Sequence, residues 1–164
     1  MNMFMRRVDL GPDGAVRLRL PDDERALLRV VCAELAELLE QPDDPDLRRL
    51  FPPAYEGEQD QAAYRGLVHD GLVAGRARAL ETFRSTIDAD ALTADEAESW
   101  LTVLNDARLV LGTRLDVQED VLLDEISPHD PRARELAVYT YLSWLQEQLV
   151  EALAAGLDAD QSRS

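Results

Sequence analysis

The sequence predicts a mainly α domain, a compact bundle of about four main helices with a small N-terminal β-hairpin. Three observations carry that prediction. From residue 21 onward, apolar side chains return every three or four positions in four separate stretches, the period of a helix with one buried face. Before residue 21 they alternate with polar residues instead, the period of a half-buried strand. Segments such as QPDDPDL at 41–47 and the paired prolines at 52 and 53 separate the helical stretches, because proline lacks the amide proton a helix interior needs. At 164 residues the chain has the length of one domain and can bury well over half of its unfolded surface. That domain is expected over residues 1–156, with the hairpin in 1–20, the helices in 21–156 and a disordered tail at 157–164.

Val8 and Leu10, then Val16, Leu18 and Leu20, lie on either side of GPDG at 11–14, so the turn should join two strands. Arg6, Arg17 and Arg19 then point outward, and the apolar side needs a helix to pack on, since a two-stranded ribbon alone is marginal in water. Pro21, Asp22 and Asp23 suit a helix start, where proline is tolerated and acids meet the positive end of the dipole. This first helix should reach about Glu40, burying Leu28, Val31, Cys32, Leu35, Leu38 and Leu39. Leu47, Leu50 and Phe51 suggest a short turn, and LFPPAY at 50–55 a rigid elbow that presents Phe51 and Tyr55 to the core.

A second helix is expected over about 60–87, with Tyr64, Leu67, Val68, Gly71, Leu72, Gly75, Ala79 and Phe83 on one face. Each glycine there costs roughly 1 kcal/mol of helix propensity, so Gly71 and Gly75 are read as sites of close helix crossing. Thr93 with Glu96 forms a capping box that opens a third helix running to about Arg114. Residues 116–130 read as an acidic loop. The last helix should begin near Pro131, bury Val138, Tyr141, Leu142, Leu145, Leu149 and Leu153, and end at Gly156.

Composition narrows the function. The chain holds 33 acidic residues against 17 basic ones, all arginine, for a net charge of −16. Nucleic-acid affinity comes mainly from cations that neutralise phosphates, so a large direct DNA footprint is not expected. The first 30 residues are the exception, with six arginines against five acids, and the hairpin face of Arg6, Arg17 and Arg19 is the one candidate for weak nucleic-acid contact. Elsewhere the acidic surface is either a plain solubility device or a match for a basic protein partner. No stretch approaches the ~20 apolar residues of a membrane span and no signal-peptide pattern opens the chain, so a cytoplasmic protein without membrane contact is expected.

Catalytic constellations are scarce. His69 and His129 lie in different elements without the spacing of a zinc site, and no glycine-rich phosphate loop is present, so neither a metal nor a cofactor is expected. No nucleophile is paired with a base at a recognisable spacing, and an enzyme is the least favoured reading. Cys32 is the sole cysteine and falls on the buried stripe of the first helix, where a thiol behaves as a small inert hydrophobe; oxidation would require exposure.

The richest stretch is WLTVLNDARLVLGTRL at 100–115, where Trp100, Leu104, Ala107, Leu111 and Leu115 repeat at helical spacing around polar residues. Arg108 and Arg114 near a buried face need acceptors for their donors. Two readings stay open. Asn105, Asp106, Arg108, Thr113 and Arg114 could form a recessed anion or partner-peptide site, or the arginines could join an internal ion-pair network with acids such as Glu34, Glu135 or Glu147. Tyr139 and Trp144 fall off the assigned stripe of the last helix, where exposed aromatics would suit a homodimer or scaffolding contact.

That stretch, together with LFPPAY and YLSWLQEQLVEAL at 141–153, resembles the AosR-like oxidative-stress transcriptional regulators of actinobacteria, over nearly the whole chain. The resemblance implies a regulator that works by protein contact with a sigma factor or an RNA polymerase subunit. It also implies redox sensing through paired cysteines that close an intramolecular disulfide, acting at cysteine-biosynthesis promoters. Here the chain departs from the family pattern, because Cys32 has no second cysteine to pair with.

Overall fold

The computed structural model describes residues 5–41, 44–47, 50, 59–115 and 129–162, with backbone alone for 59–70 and 72. Its elements in chain order are β1 (Val8–Leu10), β2 (Val16–Leu18), α1 (Asp22–Leu39), a 3₁₀ turn at Pro45–Leu47, α2 (Gln59–Thr86), β3 (Ala91–Leu92), α3 (Ala94–Leu115) and α4 (Ala133–Ser162). The expected architecture is therefore present, with one strand more than the hairpin.

In the hairpin Val8 faces Leu18 and Leu10 faces Val16, antiparallel, and the turn closes with the Gly11 amide donating to the Ala15 carbonyl at 2.8 Å. Gly14 holds φ at +84°, which favours glycine. The third strand, β3, lies along the other edge of β2, with Val16 opposite Leu92 and Arg17 opposite Ala91. Val8, Val16, Leu18 and Leu92 are buried beneath the sheet, Arg17 and Arg19 face outward as their alternation with Val16 and Leu18 requires, and Arg6 is exposed because it lies before β1, outside that alternation.

α3 is the central element, packed on both α2 and α4, while α1 lies against α2 and α3 and β1 against α4. It starts at the expected capping box. The Thr93 amide donates to Glu96 Oε1 at 2.9 Å, and the Glu96 amide donates to Thr93 Oγ1 at 3.1 Å. Trp100 and Phe83 are both fully buried, with ring centroids 4.4 Å apart, and the Trp100 indole N–H donates to Thr86 Oγ1 at 2.7 Å. Each such ring contributes ~1.5–3 kcal/mol through burial, and the hydroxyl satisfies the one polar atom that burial would strand.

α1 buries Leu28, Val31, Cys32, Leu35 and Leu38 as its periodicity predicts, with Leu39 half-buried at the end. It also buries two charges that the apolar pattern did not reveal. Arg25 donates through Nε to the Leu20 carbonyl at 3.0 Å and through Nη1 to the carbonyls of Ile87 and Ala89 at 2.5 and 3.0 Å. Its guanidinium thus satisfies the carbonyls just beyond the C-terminal end of α2.

Glu24 is 2% exposed and Arg7 is 5% exposed, and the two form a buried ion pair. Arg7 donates through Nε to both Glu24 oxygens at 3.1 Å and through Nη2 to Oε2 at 2.9 Å, while the Tyr141 hydroxyl donates to Oε1 at 2.7 Å. Gln148 Oε1 accepts from the backbone amides of Arg7 and Val8, at 2.7 and 3.0 Å. This network ties the entry to β1 onto α1 and α4.

Two expectations are corrected. Helix α4 does not end at Gly156 but continues to Ser162, so residues 157–162 are helical rather than a disordered tail. The flanking Ala154, Ala155, Leu157 and Ala159 are good helix formers, and their combined propensity outweighs one glycine. Gly71 is exposed and a Cβ there meets nothing within 4 Å among the described residues, and one at Gly75 meets only Arg78 at 3.8 Å. Neither glycine is held in place by a close helix crossing with a described residue. Tyr64, Leu67, Val68, Leu72 and His69 on α2, the elbow of Phe51 and Tyr55, and the acidic stretch 116–128 lie outside the described side chains.

Candidate functional site

The polar residues of α3 are brought onto one helix but not into one site. Asp106 is buried and faces α2, where its Oδ2 lies 3.1 Å from Arg76 Nε. Burial raises its carboxyl from the ordinary value to about 6, and the half-buried Arg76 opposes that only in part. Asn105 faces α4 instead, and Arg108 bonds to it within α3. Asn105 Oδ1 accepts from Arg108 Nη2 at 3.2 Å and from Gln146 Nε2 at 3.3 Å. Thr113 turns its hydroxyl back to the Leu109 carbonyl at 2.9 Å.

Arg114 points to a third neighbour, the 3₁₀ turn, where its Nε lies 2.7 Å from Asp46 Oδ2. The hydrogen bond to Asp46 raises the Arg114 pKa, with Glu34 and Asp44 adding to the same effect. The partner is thus Asp46 and not Glu34, Glu135 or Glu147. Arg108 has no carboxylate within ion-pair distance among the described residues; an amide oxygen answers it, and its Nε is buried without an acceptor. Sequence reasoning located the arginines but not their partners, because Asp46 is 68 positions from Arg114 in the chain.

The outward face of the hairpin is only weakly basic. Arg6 pairs with Glu151 at 3.1 Å and Arg19 with Asp9 at 3.2 Å, which leaves Arg17 as the exposed guanidinium of the three without an acid among the described residues. Trp144 is partly covered by its own chain. It is half-buried beneath the Arg7 guanidinium, 5.6 Å from its ring centroid, and lies 6.1 Å from the Tyr141 ring; Tyr139 is half-buried as well.

Cys32 is 6% exposed, with its Sγ 4.0 Å from the Leu80 carbonyl. Burial pushes its thiol pKa up, and the opposing influence of Arg84 is smaller. Thiolate, the reactive form, is therefore disfavoured at this position. Among the described residues no group of three His, Cys, Asp or Glu side chains is placed to hold a metal ion. No helix among them is long and apolar enough to cross a membrane.

The sequence profile of a family described as a domain of unknown function, DUF2017, matches residues 5–153. The chain belongs to the DUF2017 family. The chain is similar to a putative oxidative stress regulator AosR of Mycobacterium leprae, 31% identical over 146 residues, which cover 78% of this chain and 67% of the relative. It is also similar to the oxidative stress regulators AosR of Mycobacterium bovis and Mycobacterium tuberculosis, 29% identical over 132 residues, which cover 70% of this chain and 60% of each relative. This DUF2017 chain is thus AosR-like, and its matches span 60–67% of the length of those relatives. No solved structure matches it.

Proposed function

We propose that this DUF2017 chain is a non-enzymatic, cytoplasmic regulator of transcription in the response to oxidative stress, acting by protein contact. Its acidic surface docks a basic partner such as a sigma factor or an RNA polymerase subunit, and direct DNA contact is secondary. The observation that carries this reading is the similarity, over 78% of the chain, to proteins named oxidative stress regulators. The net charge of −16 supports protein contact over DNA contact, since a surface of that sign repels phosphate and attracts a cationic protein face. Two of the three hairpin arginines are already answered by acids, which weakens the one basic patch further.

In this reading no disulfide within these 164 residues is the trigger. The 164 residues contain one cysteine, and it is buried with a raised pKa. The test is co-purification of the tagged protein from its host, with and without peroxide, beside the Cys32→Ser variant. Recovery of a sigma factor or polymerase subunit by both proteins is expected. Recovery of neither, under either condition, contradicts the reading.

A further inference from the structure

A groove of about 330 Å³ runs between α1, the C-terminal half of α3 and the first turns of α4. Its floor is apolar, built from Val31 and Leu35 of α1, Val110 and Leu111 of α3, and Val138 of α4. Val30 lines the groove as well and is 54% exposed. Beside the exposed Val30, the half-buried Leu27, Leu111 and Val138 leave apolar surface along the groove among the described residues, with polar residues around it.

The charge around the groove is one-sided. Glu34 and Glu135 line it, and the adjoining recess along α1 adds Glu37 and Asp44. Against these four acids stand two arginines, Arg114 and Arg134. Arg114 is already committed to Asp46 at 2.7 Å, so Arg134 alone is available to offset the acids among the described residues. The field of Glu34 and Asp44 is felt at Arg114 itself, where both raise its pKa.

We infer that this groove is the docking site for an amphipathic helix of a protein partner, its apolar face on Val31, Leu35 and Val138 and its flanks carrying lysine or arginine. A groove between helices accepts a further helix through apolar anchors spaced three and four residues apart. The acidic rim selects cationic flanks and speeds encounter with them. The inference rests on the protein-contact reading above and gives that contact a place on the molecule.

The test uses two labelled 18-residue peptides of leucine and lysine with the same composition. One has its leucines on a single helical face and the other has them scattered. Binding is followed by fluorescence anisotropy at physiological salt, to the full chain and to two variants, Val30→Arg and Val150→Arg. Val150 is 47% exposed on α4 and lies outside the groove, so it matches Val30 in exposure and in added charge. Tighter binding of the amphipathic peptide is expected, by tenfold or more over its isomer, with a loss of tenfold or more in Val30→Arg and no change in Val150→Arg. Equal binding of the two peptides, or equal losses in the two variants, overturns the groove. The same variants in the co-purification separate this inference from the reading beneath it. Capture of a sigma factor or polymerase subunit by Val30→Arg as well as by the parent removes the groove and leaves the protein contact standing, whereas absence of capture by the parent removes the contact itself.

Discussion

Arg7 grips both oxygens of Glu24 inside the protein, at 2.9 to 3.1 Å, with neither side chain more than 6% exposed. The pair joins residues 17 positions apart and, through the Tyr141 hydroxyl and Gln148, reaches α4. A buried pair of this kind is weak evidence for stability by itself, since desolvation consumes much of the Coulombic gain, but removing one partner strands the other. Glu24→Ala should therefore destabilise the fold by ~3–5 kcal/mol. Arg6→Ala, which breaks the exposed pair with Glu151, should change stability by ~1 kcal/mol or less. Urea denaturation of the two variants checks the contrast.

Asp106 makes stability depend on pH in the direction opposite to most carboxylates. Its folded pKa, about 6, lies above its unfolded value, so the folded state holds the proton more tightly between the two. The contribution of this group is then fully present at pH values below about 4 and is lost as pH rises through about 6, by ~3 kcal/mol for a shift of about two units. Asp106→Asn should flatten that slope. Thermal melts of both proteins from pH 4 to 7.5 measure it, and a parent protein whose Asp106-dependent component rises with pH contradicts the assignment.

Cys32 should behave as a core residue. In the native protein its reaction with a thiol reagent should be slow, and it should become fast once urea exposes the chain, because both accessibility and thiolate content are low in the folded state. Mild peroxide should leave the Cys32 thiol of the folded protein unmodified, whereas the exposed Met5 is open to sulfoxide formation. Mass spectrometry and thiol titration read these outcomes directly.

Arg108 and Arg114 should prove separable from folding. Arg114 pairs with Asp46 at a partly exposed site, so Arg114→Ala is expected to cost ~1 kcal/mol or less. Arg108→Ala removes one hydrogen bond to Asn105 and also a buried donor without an acceptor, two effects of opposite sign that should nearly cancel. Both variants should melt cooperatively, as calorimetry can establish.

Elements set by neighbouring residues were legible in the sequence. The Thr93–Glu96 box, the limits of α1 and the burial of Cys32 follow from spacings of three and four, and the structure has each of them. Features set by distant residues were not. Ala91–Leu92 is too short to show an alternating pattern, and it becomes a strand because the edge of β2 is open to it. Glu24 and Arg25 look like the solvated first turn of a helix, and only the approach of Arg7, Tyr141 and the end of α2 makes them interior. Gly156 resembles a helix stop, yet α4 passes through it. At the candidate site the same division holds, since the sequence exposed the two arginines of α3 but could not assign Asp46 to one and an amide to the other.

On the proposed reading, this acidic chain regulates by touching a basic protein. The most direct test is the affinity of the purified protein for RNA polymerase holoenzyme from its host, measured over a series of salt concentrations. Specific binding that weakens steadily as salt rises, and that persists in Cys32→Ser, is the predicted result. No binding at low salt, or tight binding to promoter DNA in the absence of polymerase, would contradict it.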